Sequence, residues 1–510
     1  MLTWQLWCTL LCVLWIYFLW SRRRFYQLIF QIPGPLGYPL LGLAHKLRHK
    51  EDVLRVFKHY FDKHGQFFSI WLGPMPFIIV KDPKIIQDIF NSPHCVNKGF
   101  NYKALGQGLF RLQEPLWSVH RKLLNPAFGH KLLVSFGPIF NAESASLLKT
   151  LEPLVDDGEK NLIPLLQSFT LNIATQTTMG SEVKYSEYIR SNKLLEAYQG
   201  LLEATTDMLF TPWLLSKTIR QLLGREKQYS KINSQISDFI KKIIESKMTK
   251  GSEAPLLPED KNIFLNLATD LMNRGIFTTQ DVQDESHTIV FGAFETTANT
   301  VAYTLILLAM FPEYQEKAFE EIRTLFPNTG DFEVTYGDTQ NMTYMDLILN
   351  ESMRVLTPVP IVARQTMQDV RLSNGIVLPK GVQIGIDIFH LHRDKNIWGE
   401  NAETFDPEHF LPHHMQDKHP YSFIPFTKGI RNCIGWRYAL LSSKITLAKL
   451  LRNYKFSTSF KFEDLDFVED ITLKLRKVPL LEVQNDSIKR YIQIYSIKFI
   501  VYIYLLLRTI

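Results

Sequence analysis

The chain has few cysteines, and none of them indicates a disulfide framework. Only four occur in 510 residues, and Cys8 and Cys12 lie in an apolar first segment. The other two, Cys95 and Cys433, suit a reducing compartment such as the cytosol better than a disulfide-stabilised secreted domain. The net charge of +6 is also small for this length. It therefore gives no argument for a nucleic-acid ligand.

The sequence also lacks the signals that divide a long chain into several domains. Its length by itself would allow about three domains. However, there is no Gly/Ser-rich linker, no internal repeat and no long block of charge after residue 25. We therefore predict a single globular domain over residues 43–484.

The first 21 residues contain no charged side chain. Twenty such residues span the hydrocarbon core of a bilayer as a helix. Arg22, Arg23 and Arg24 follow at once, and the positive-inside tendency keeps them in the cytosol. A cleaved signal peptide is the alternative, but the segment has neither a basic n-region nor a clear small-x-small cleavage site. We predict a transmembrane signal anchor over residues 1–21 and a basic, proline-rich hinge over residues 22–42.

The other end of the chain carries a second hydrophobic segment, residues 485–510. Its most apolar part, residues 491–507, is interrupted by Lys498 and is marginal in length for a membrane span. An interfacial segment and a tail outside the globular fold both remain open.

Between these ends, short patterns predict a mainly α fold with small β-sheets, in the α+β class. Residues 67–72 and 77–80 are apolar and β-branched runs around Gly73-Pro74, which predicts a hairpin. Thr278, with Asp281 three residues later, predicts the start of a helix that runs to Met310 before Pro312. Asn374-Gly375 predicts a turn between two further strands.

A lone cysteine, Cys433, lies between a glycine-rich turn and an apolar helical pattern over residues 439–451. Gly429 and Gly435 allow the chain to bend tightly around it. A helix N-terminus favours a thiolate over a thiol, and thiolate ligation to haem iron favours O–O bond cleavage. Arg431 lies close enough to pair with a haem propionate. A buried structural cysteine is the simpler reading of any single Cys.

Two further pairs carry chemistry at helical spacing. Glu295 and Thr296 lie midway in the long helix, where a buried carboxylate is costly unless it is paired or functional. Together they are able to hold water and relay protons, although a Thr hydroxyl bonded to its own helix is the simpler alternative. Glu351 and Arg354 are spaced to form an ion pair on one helix face.

These motifs together resemble the cytochrome P450 family. The pattern F-x-x-G-x-R-x-C-x-G over residues 426–435 is matched at every defined position and resembles the family's haem-binding loop. The segment 292–297 resembles its small-Gly-x-acid-Thr signature. The resemblance covers roughly residues 33–483 and is closest to the microsomal type, within an insect-type family-4 clan. It implies the P450 fold, behind an N-terminal membrane anchor helix.

The resemblance also implies a set of site residues. Cys433 would be the axial ligand of the iron of haem b, and Thr296 and Glu295 would be catalytic. The expected haem-binding residues are Cys433, Arg431, Trp117, Arg121, Arg364, Phe426 and Gly429. Glu351, Arg354 and His409 would form a structural cluster, in which His409 stands where the family usually has Arg.

The implied activity is the insertion of one oxygen atom of O2 into a small apolar substrate such as a lipid, hormone or xenobiotic. Electrons would come from NADPH through cytochrome P450 reductase, with cytochrome b5 as a second candidate donor. Lys122, Lys428, Arg437 and Lys444 would make the thiolate side basic toward such an acidic partner. The expected location is the endoplasmic reticulum membrane, with contact to lipid and the catalytic domain on the cytosolic face.

Two other functions remain open at this point. Some family members rearrange peroxides without O2 or a reductase, although the presence of Thr296 argues against this function. A haem-binding protein without monooxygenase turnover is the second alternative, and Ala293 and His409 are the departures from the family pattern that favour it.

Overall fold

The computed structural model describes residues 2–38, 41–99, 102–103, 105–180, 183, 191–250, 263–328 and 330–485. The predicted hydrophobic tail, from residue 486 onward, lies outside the described residues.

Helices make up most of the described chain. In chain order they are α1 Leu2–Ser21, α2 Arg23–Ile29, α3 Val53–His64, α4 Pro83–Asn91, α5 Leu116–Leu124, α6 His130–Ser135, α7 Gly137–Leu151, α8 Ile163–Met179, α9 Lys193–Phe210, α10 Lys217–Leu222, α11 Glu226–Lys250, α12 Phe264–Asn273, α13 Thr279–Met310, α14 Pro312–Leu325, α15 Tyr336–Asn341, α16 Thr343–Val355, α17 Ile388–Leu391, α18 Lys395–Trp398, α19 Pro412–Met415 and α20 Trp436–Asn453.

The strands are short and form small sheets. They are β1 Phe67–Leu72, β2 Met75–Val80, β3 Ile361–Gln365, β4 Val370–Arg371, β5 Val377–Leu378, β6 Gln383–Asp387, β7 Tyr454–Ser457, β8 Phe467–Glu469, β9 Leu473–Leu475 and β10 Glu482–Asn485. One sheet has the order β1-β2-β6-β3, in which β2 and β6 are parallel, and the described pairs β7/β10, β4/β5 and β8/β9 are antiparallel. The prediction of a mainly helical fold with small sheets is confirmed.

The long helix α13 passes through the centre of the protein. Its N-cap is Thr278, whose hydroxyl accepts a hydrogen bond from the Asp281 backbone N–H, while the Asp281 carboxylate accepts one from the Thr278 N–H. This reciprocal pair satisfies two N–H groups that the helix itself leaves without partners. The helix ends at Met310, two residues before Pro312. Both predicted ends are therefore confirmed.

Two large apolar clusters pack along α13 and a third lies on the four-stranded sheet. The C-terminal half of α13 packs with α7, α8, α16 and α20, and its N-terminal half packs with α9, α11 and α12. The predicted hairpin β1–β2 and the turn at Asn374-Gly375 between β4 and β5 belong to the sheet region and are confirmed. α13 thus crosses from one cluster to the other, and its middle lies where they meet.

Residues 2–21 form α1, on which several large apolar side chains are exposed, among them Trp7, Val13, Ile16 and Trp20. Considered one at a time, none of the described helices combines the length and the apolar character needed to cross a membrane.

Candidate functional site

The loop before α20 bends back on itself at a glycine that no other residue could replace without strain. Gly429 has a φ of 74°, and a Cβ atom there would lie 2.2 Å from the carbonyl oxygen of Phe90. The backbone N–H of Cys433 donates to the carbonyl of Phe426 over 3.0 Å, which closes the loop. Cys433 is therefore held three residues before Trp436, where α20 begins.

Cys433 lies deep in the protein, yet its side chain is accessible because it faces an internal cavity of about 350 Å³. The middle of α13 forms part of the cavity wall through Gly292, Ala293 and Thr296. Between residues 290 and 309 of this helix, those three are the residues that are not fully buried. The cysteine loop and the central helix therefore meet at one cavity.

The surroundings of Cys433 act on its thiol in opposite directions. Burial raises the pKa of the thiol, and this effect outweighs the Gly435 N–H and the charges of Arg121 and Lys98, which lower it. The direction of this shift goes against the expectation that the loop by itself favours a thiolate, because burial in a low-dielectric site disfavours the charged form. A metal ion bound at the sulfur would ionise the thiol outright.

Four basic side chains converge beside the cavity: Lys98, Arg121, Arg364 and Arg431. Among the described residues, none of the four has a carboxylate within ion-pair distance. Burial, with Arg364 next in importance, lowers the pKa of Arg431 to about 9. Burial and the charges of Arg364 and Arg431 also hold the pKa of Lys98 well below its usual value. Such a cluster is costly unless an anion joins it.

The cluster is built from segments far apart in the sequence. Arg121 donates from Nη1 and Nη2 to the carbonyl and side-chain oxygens of Asn432, each over 2.9 Å. The Arg431 guanidinium lies 4.2 Å from the centre of the Trp117 ring. Its Nη atoms donate to the backbone carbonyls of Leu109 and Leu112, whereas its Nε is buried and has no acceptor among the residues that the structure describes.

Most of the predicted haem-binding residues reach the cavity. Trp117, Arg121, Phe426, Arg431 and Cys433 line it. The other two do not contribute to the lining. Arg364 is buried behind the wall, where it donates to the carbonyl of Ala363 over 2.9 Å, and Gly429 shapes the loop instead.

The predicted ion pair of α16 is fully buried and is held on several sides. Glu351 Oε1 lies 2.7 Å from Arg354 Nη2 and 3.0 Å from His409 Nδ1. It also accepts a hydrogen bond from the backbone N–H of Asp406 over 2.8 Å. Burial alone would raise the pKa of Glu351, but the hydrogen bonds from Arg354 and His409 outweigh it and lower the pKa. His409 therefore does stand beside the pair.

The comparison with known proteins identifies the family. The sequence matches the family described as "Cytochrome P450" over residues 32–479. The chain belongs to the cytochrome P450 family. A protein named probable cytochrome P450 313a4, from Drosophila melanogaster, is 68% identical over 492 residues, which cover 95% of this chain and 100% of that protein. Cytochrome P450 4c21 from Blattella germanica is 30% identical, with 91% of this chain and 95% of that protein covered. This assigns the chain to an enzyme class, the P450 monooxygenases.

The cavity of this P450 fits the haem that the family implies. Haem needs an axial ligand for its iron and positive partners for its propionates. Cys433 faces the cavity, and the basic cluster beside it has neither carboxylate partners among the described residues nor an acceptor for Arg431 Nε. Gly292, Ala293 and Thr296 leave room on the α13 side of the cavity. A Cβ atom on Gly292 would meet no atom within 4 Å. Cys433 would bind the iron and the basic side chains would hold the propionates.

In this P450, both members of the predicted proton-relay pair, Glu295 and Thr296, already make hydrogen bonds within the protein. Both Glu295 and Thr296 line the cavity. However, Glu295 Oε1 accepts hydrogen bonds from Lys474 Nζ and from Thr472 Oγ1, the latter over 3.0 Å, whereas its Oε2 is buried without a partner. The Thr296 hydroxyl donates to the Gly292 carbonyl over 2.8 Å, as in the simpler alternative. The oxygen of Thr296 is left as an acceptor for a molecule in the cavity.

Sequence reasoning did not find Lys98, Lys474 or the two further acids of the cavity wall, Glu469 and Asp470. Each lies outside the recognised motifs, and no spacing pattern links it to the site. Lys444 was predicted on a basic docking surface, but it is buried and its Nζ lies 2.6 Å from Asp346 Oδ1. Lys444 therefore links α20 to α15 and α16, through Thr339 and Asp346. Lys122 and Arg437 are exposed, as predicted for a docking surface.

Proposed function

We propose that this P450 inserts one oxygen atom of O2 into an apolar organic substrate, using NADPH-derived electrons delivered by a flavoprotein reductase. The observation that carries the proposal is that Cys433, Thr296 and three members of the basic cluster, Lys98, Arg121 and Arg431, all line one cavity. The bound haem supplies the activation of oxygen. The protein holds this group, excludes bulk water and delivers protons.

Proton delivery is the step for which the chain's own residues give a route. The Lys474 side chain is 37% exposed, whereas that of Glu295 is 2% exposed. Lys474 therefore connects solvent to the buried carboxylate, and Glu295 connects Lys474 to the cavity. Thr296, with its hydrogen bound to Gly292, accepts a hydrogen bond at the cavity surface. The route runs from solvent through Lys474 and Glu295 to a water held near Thr296.

The substrate in this proposal is a small, mostly apolar molecule. Apolar side chains from several elements line the cavity, among them Leu209, Phe291, Val359, Ile361 and Ile471. Burial of an apolar body against such a wall supplies binding energy without fixing one orientation. The polar groups on the wall then decide orientation.

The proposed setting is the cytosolic face of the endoplasmic reticulum membrane, as for microsomal P450s of the family-4 clan. The exposed apolar side chains of α1 and the three arginines at residues 22–24 support an anchor of this orientation. Similarity to relatives named cytochrome P450 4c3 and 4c21, at 29% and 30% identity, supports the clan. Exposed Lys122 and Arg437 support an acidic reductase as partner, and cytochrome b5 would use the same surface.

The test is spectroscopic and catalytic. The purified, reduced protein should give a strongly red-shifted Soret band with carbon monoxide, and Cys433→Ser should abolish that band. With reductase, O2-dependent NADPH consumption should appear, and the share of the consumed NADPH that is recovered as H2O2 should rise in Thr296→Ala. A normal carbon monoxide band without NADPH consumption would contradict turnover, and an unchanged band in Cys433→Ser would contradict thiolate ligation.

A further inference from the structure

The hairpin β8–β9 brings four consecutive residues, 469–472, to the cavity wall. It is fixed there by the hydrogen bond from the Leu473 N–H to the Pro358 carbonyl, over 3.0 Å. Most of its polar side chains have partners in the protein. Asp470 accepts hydrogen bonds from Thr206 and Lys50, and Thr472 donates to Glu295.

Glu469 is the exception. It is the last residue of β8, lines the cavity and is 5% exposed. Its carboxyl group makes no hydrogen bond and no ion pair with any residue that the structure describes, and Oε2 is completely enclosed. A buried carboxyl without a partner is costly, so its natural partner is a group that enters the cavity.

The charge around Glu469 selects the kind of partner. The charged groups that act on Glu469 are Asp387 and Asp470, both acidic. Each also has a basic neighbour, because His390 Nδ1 lies 2.7 Å from Asp387 Oδ2 and Lys50 Nζ lies 3.2 Å from Asp470 Oδ2. Burial and these two carboxylates together raise the pKa of Glu469 well above its usual value, which favours the neutral acid in the ligand-free protein. A positively charged group would stabilise the ionised form of Glu469 and so gain a carboxylate partner, whereas an anionic ligand would gain none on this side of the wall.

We propose that Glu469 binds the basic nitrogen of an otherwise apolar, amine-bearing substrate. This inference depends on the proposed function only in taking the cavity as the substrate site. The amine would bind as an ammonium ion against the Glu469 carboxylate, and the proton of the carboxyl group would leave to solvent. The apolar body of the substrate would then lie against the rest of the cavity wall.

The test compares an amine with a carbon isostere that differs from it at one atom, and with an alcohol on the same phenylpropyl chain. The probes are N,N-dimethyl-3-phenylpropylamine, its carbon isostere 4-methylpentylbenzene and the alcohol 3-phenyl-1-propanol. Their affinities for the haem-loaded full chain are measured by equilibrium dialysis, which requires no turnover. We expect the amine to bind at least tenfold more tightly than the isostere, and Glu469→Gln to remove that difference while leaving the affinity for the isostere unchanged.

Glu463→Gln provides the matched control, because Glu463 precedes the same hairpin but is exposed. It should keep the full preference for the amine. The carbon monoxide band of E469Q reports whether the variant is folded. In the unmodified protein, calorimetry in two buffers of different ionisation enthalpy should detect the release of about one proton per amine bound and none per isostere.

An amine preference that survives in E469Q would overturn the proposal, and so would the absence of any preference in the unmodified protein. If the alcohol matched the amine and lost as much affinity in E469Q, Glu469 would be a hydrogen-bonding site for neutral ligands, which contradicts the amine class. Failure of the proposed function is seen separately, because it removes NADPH consumption without changing the dialysis result.

Discussion

At the scale of single residues, the most informative contact joins Glu295 in the central helix to Lys474 in a hairpin 179 residues later. The carboxylate is almost fully buried, one of its oxygens has no partner, and the other depends on Lys474 and Thr472. The contact with Lys474 therefore offsets part of the cost of burying the Glu295 carboxylate. Because Lys474 is partly exposed, the same contact links Glu295 to solvent.

This coupling predicts a specific pattern of stability changes. Lys474→Met should lower the free energy of unfolding by about 1–2 kcal/mol, because it leaves the buried Glu295 carboxylate with one fewer donor. The exposed Lys477 gives the matched control, and Lys477→Met should have almost no effect. The measurement is the thermal unfolding midpoint at one scan rate, where a shift of roughly 2–4 °C is expected.

The double variant decides whether the effect acts through Glu295. In a Glu295→Gln background the buried charge is gone, so Lys474→Met should cost close to nothing. An equal cost in both backgrounds would show that Lys474 stabilises the hairpin by packing rather than by pairing with the carboxylate.

At the scale of elements, the Glu351 cluster ties α16 to the segments that precede the cysteine loop. Arg354 donates to the backbone carbonyls of His392 and Thr404 over 2.8 and 2.7 Å, and its guanidinium lies 5.0 Å from the centre of the Trp398 ring. Because Glu351 and Arg354 are fully buried, removal of one leaves the other uncompensated. The cluster therefore positions a long irregular segment that helix packing alone would not hold.

Glu351→Gln should destabilise the protein by about 3–5 kcal/mol near neutral pH, since it leaves a buried arginine without its counter-ion. The hydrogen bonds of Arg354 and His409 lower the folded-state pKa of Glu351. Its contribution is therefore fully present above the unfolded pKa of about 4.3 and is lost as the pH falls through the lower folded pKa. The difference in thermal midpoint between the two proteins should shrink in acid.

The exposed pair Glu320 and Arg323 has the same i,i+3 spacing and serves as the control. Glu320→Gln should cost at most about 0.5 kcal/mol, because water already screens that pair. A loss from Glu351→Gln as small as that, or one that stayed constant in acid, would contradict the role assigned to the buried cluster.

At the scale of the whole molecule, the chain divides into a body packed around α13 and an N-terminal helix with exposed apolar side chains. Ile29 in α2 is fully buried in the cluster of the four-stranded sheet, so α2 belongs to the body. The exposed side chains of α1 have no such packing, which is the pattern expected of a segment stabilised by lipid.

Deletion of residues 2–21 should move the protein from the membrane pellet to the supernatant after an alkaline carbonate wash of expressing cells. The carbon monoxide band should be retained, because the cavity and its lining residues belong to the body. Glycosylation sites inserted before and after α1 should report a lumenal N-terminus. A shortened protein that stayed in the pellet would place the membrane contact elsewhere in the chain.

The sequence by itself determined the parts of this protein that depend on neighbours along the chain. The capping box at Thr278, the glycine turn before Cys433 and the Glu351–Arg354 spacing are local, because backbone geometry and helix periodicity place those residues together in any fold that contains them. The family and the helical character followed from these local patterns, and so did the proposal that Cys433 is the axial ligand.

Only the tertiary structure decided which distant groups surround the site. Lys98 joins the basic cluster, Lys474 pairs with Glu295, and Glu469 has no partner in the part of the chain that the structure describes. None of these results has a signal at helix or strand spacing. The raised pKa of the Cys433 thiol has the same origin. Burial and long-range charge depend on the packing of many segments at once, so the electrostatics of the cavity could not be obtained from local pattern.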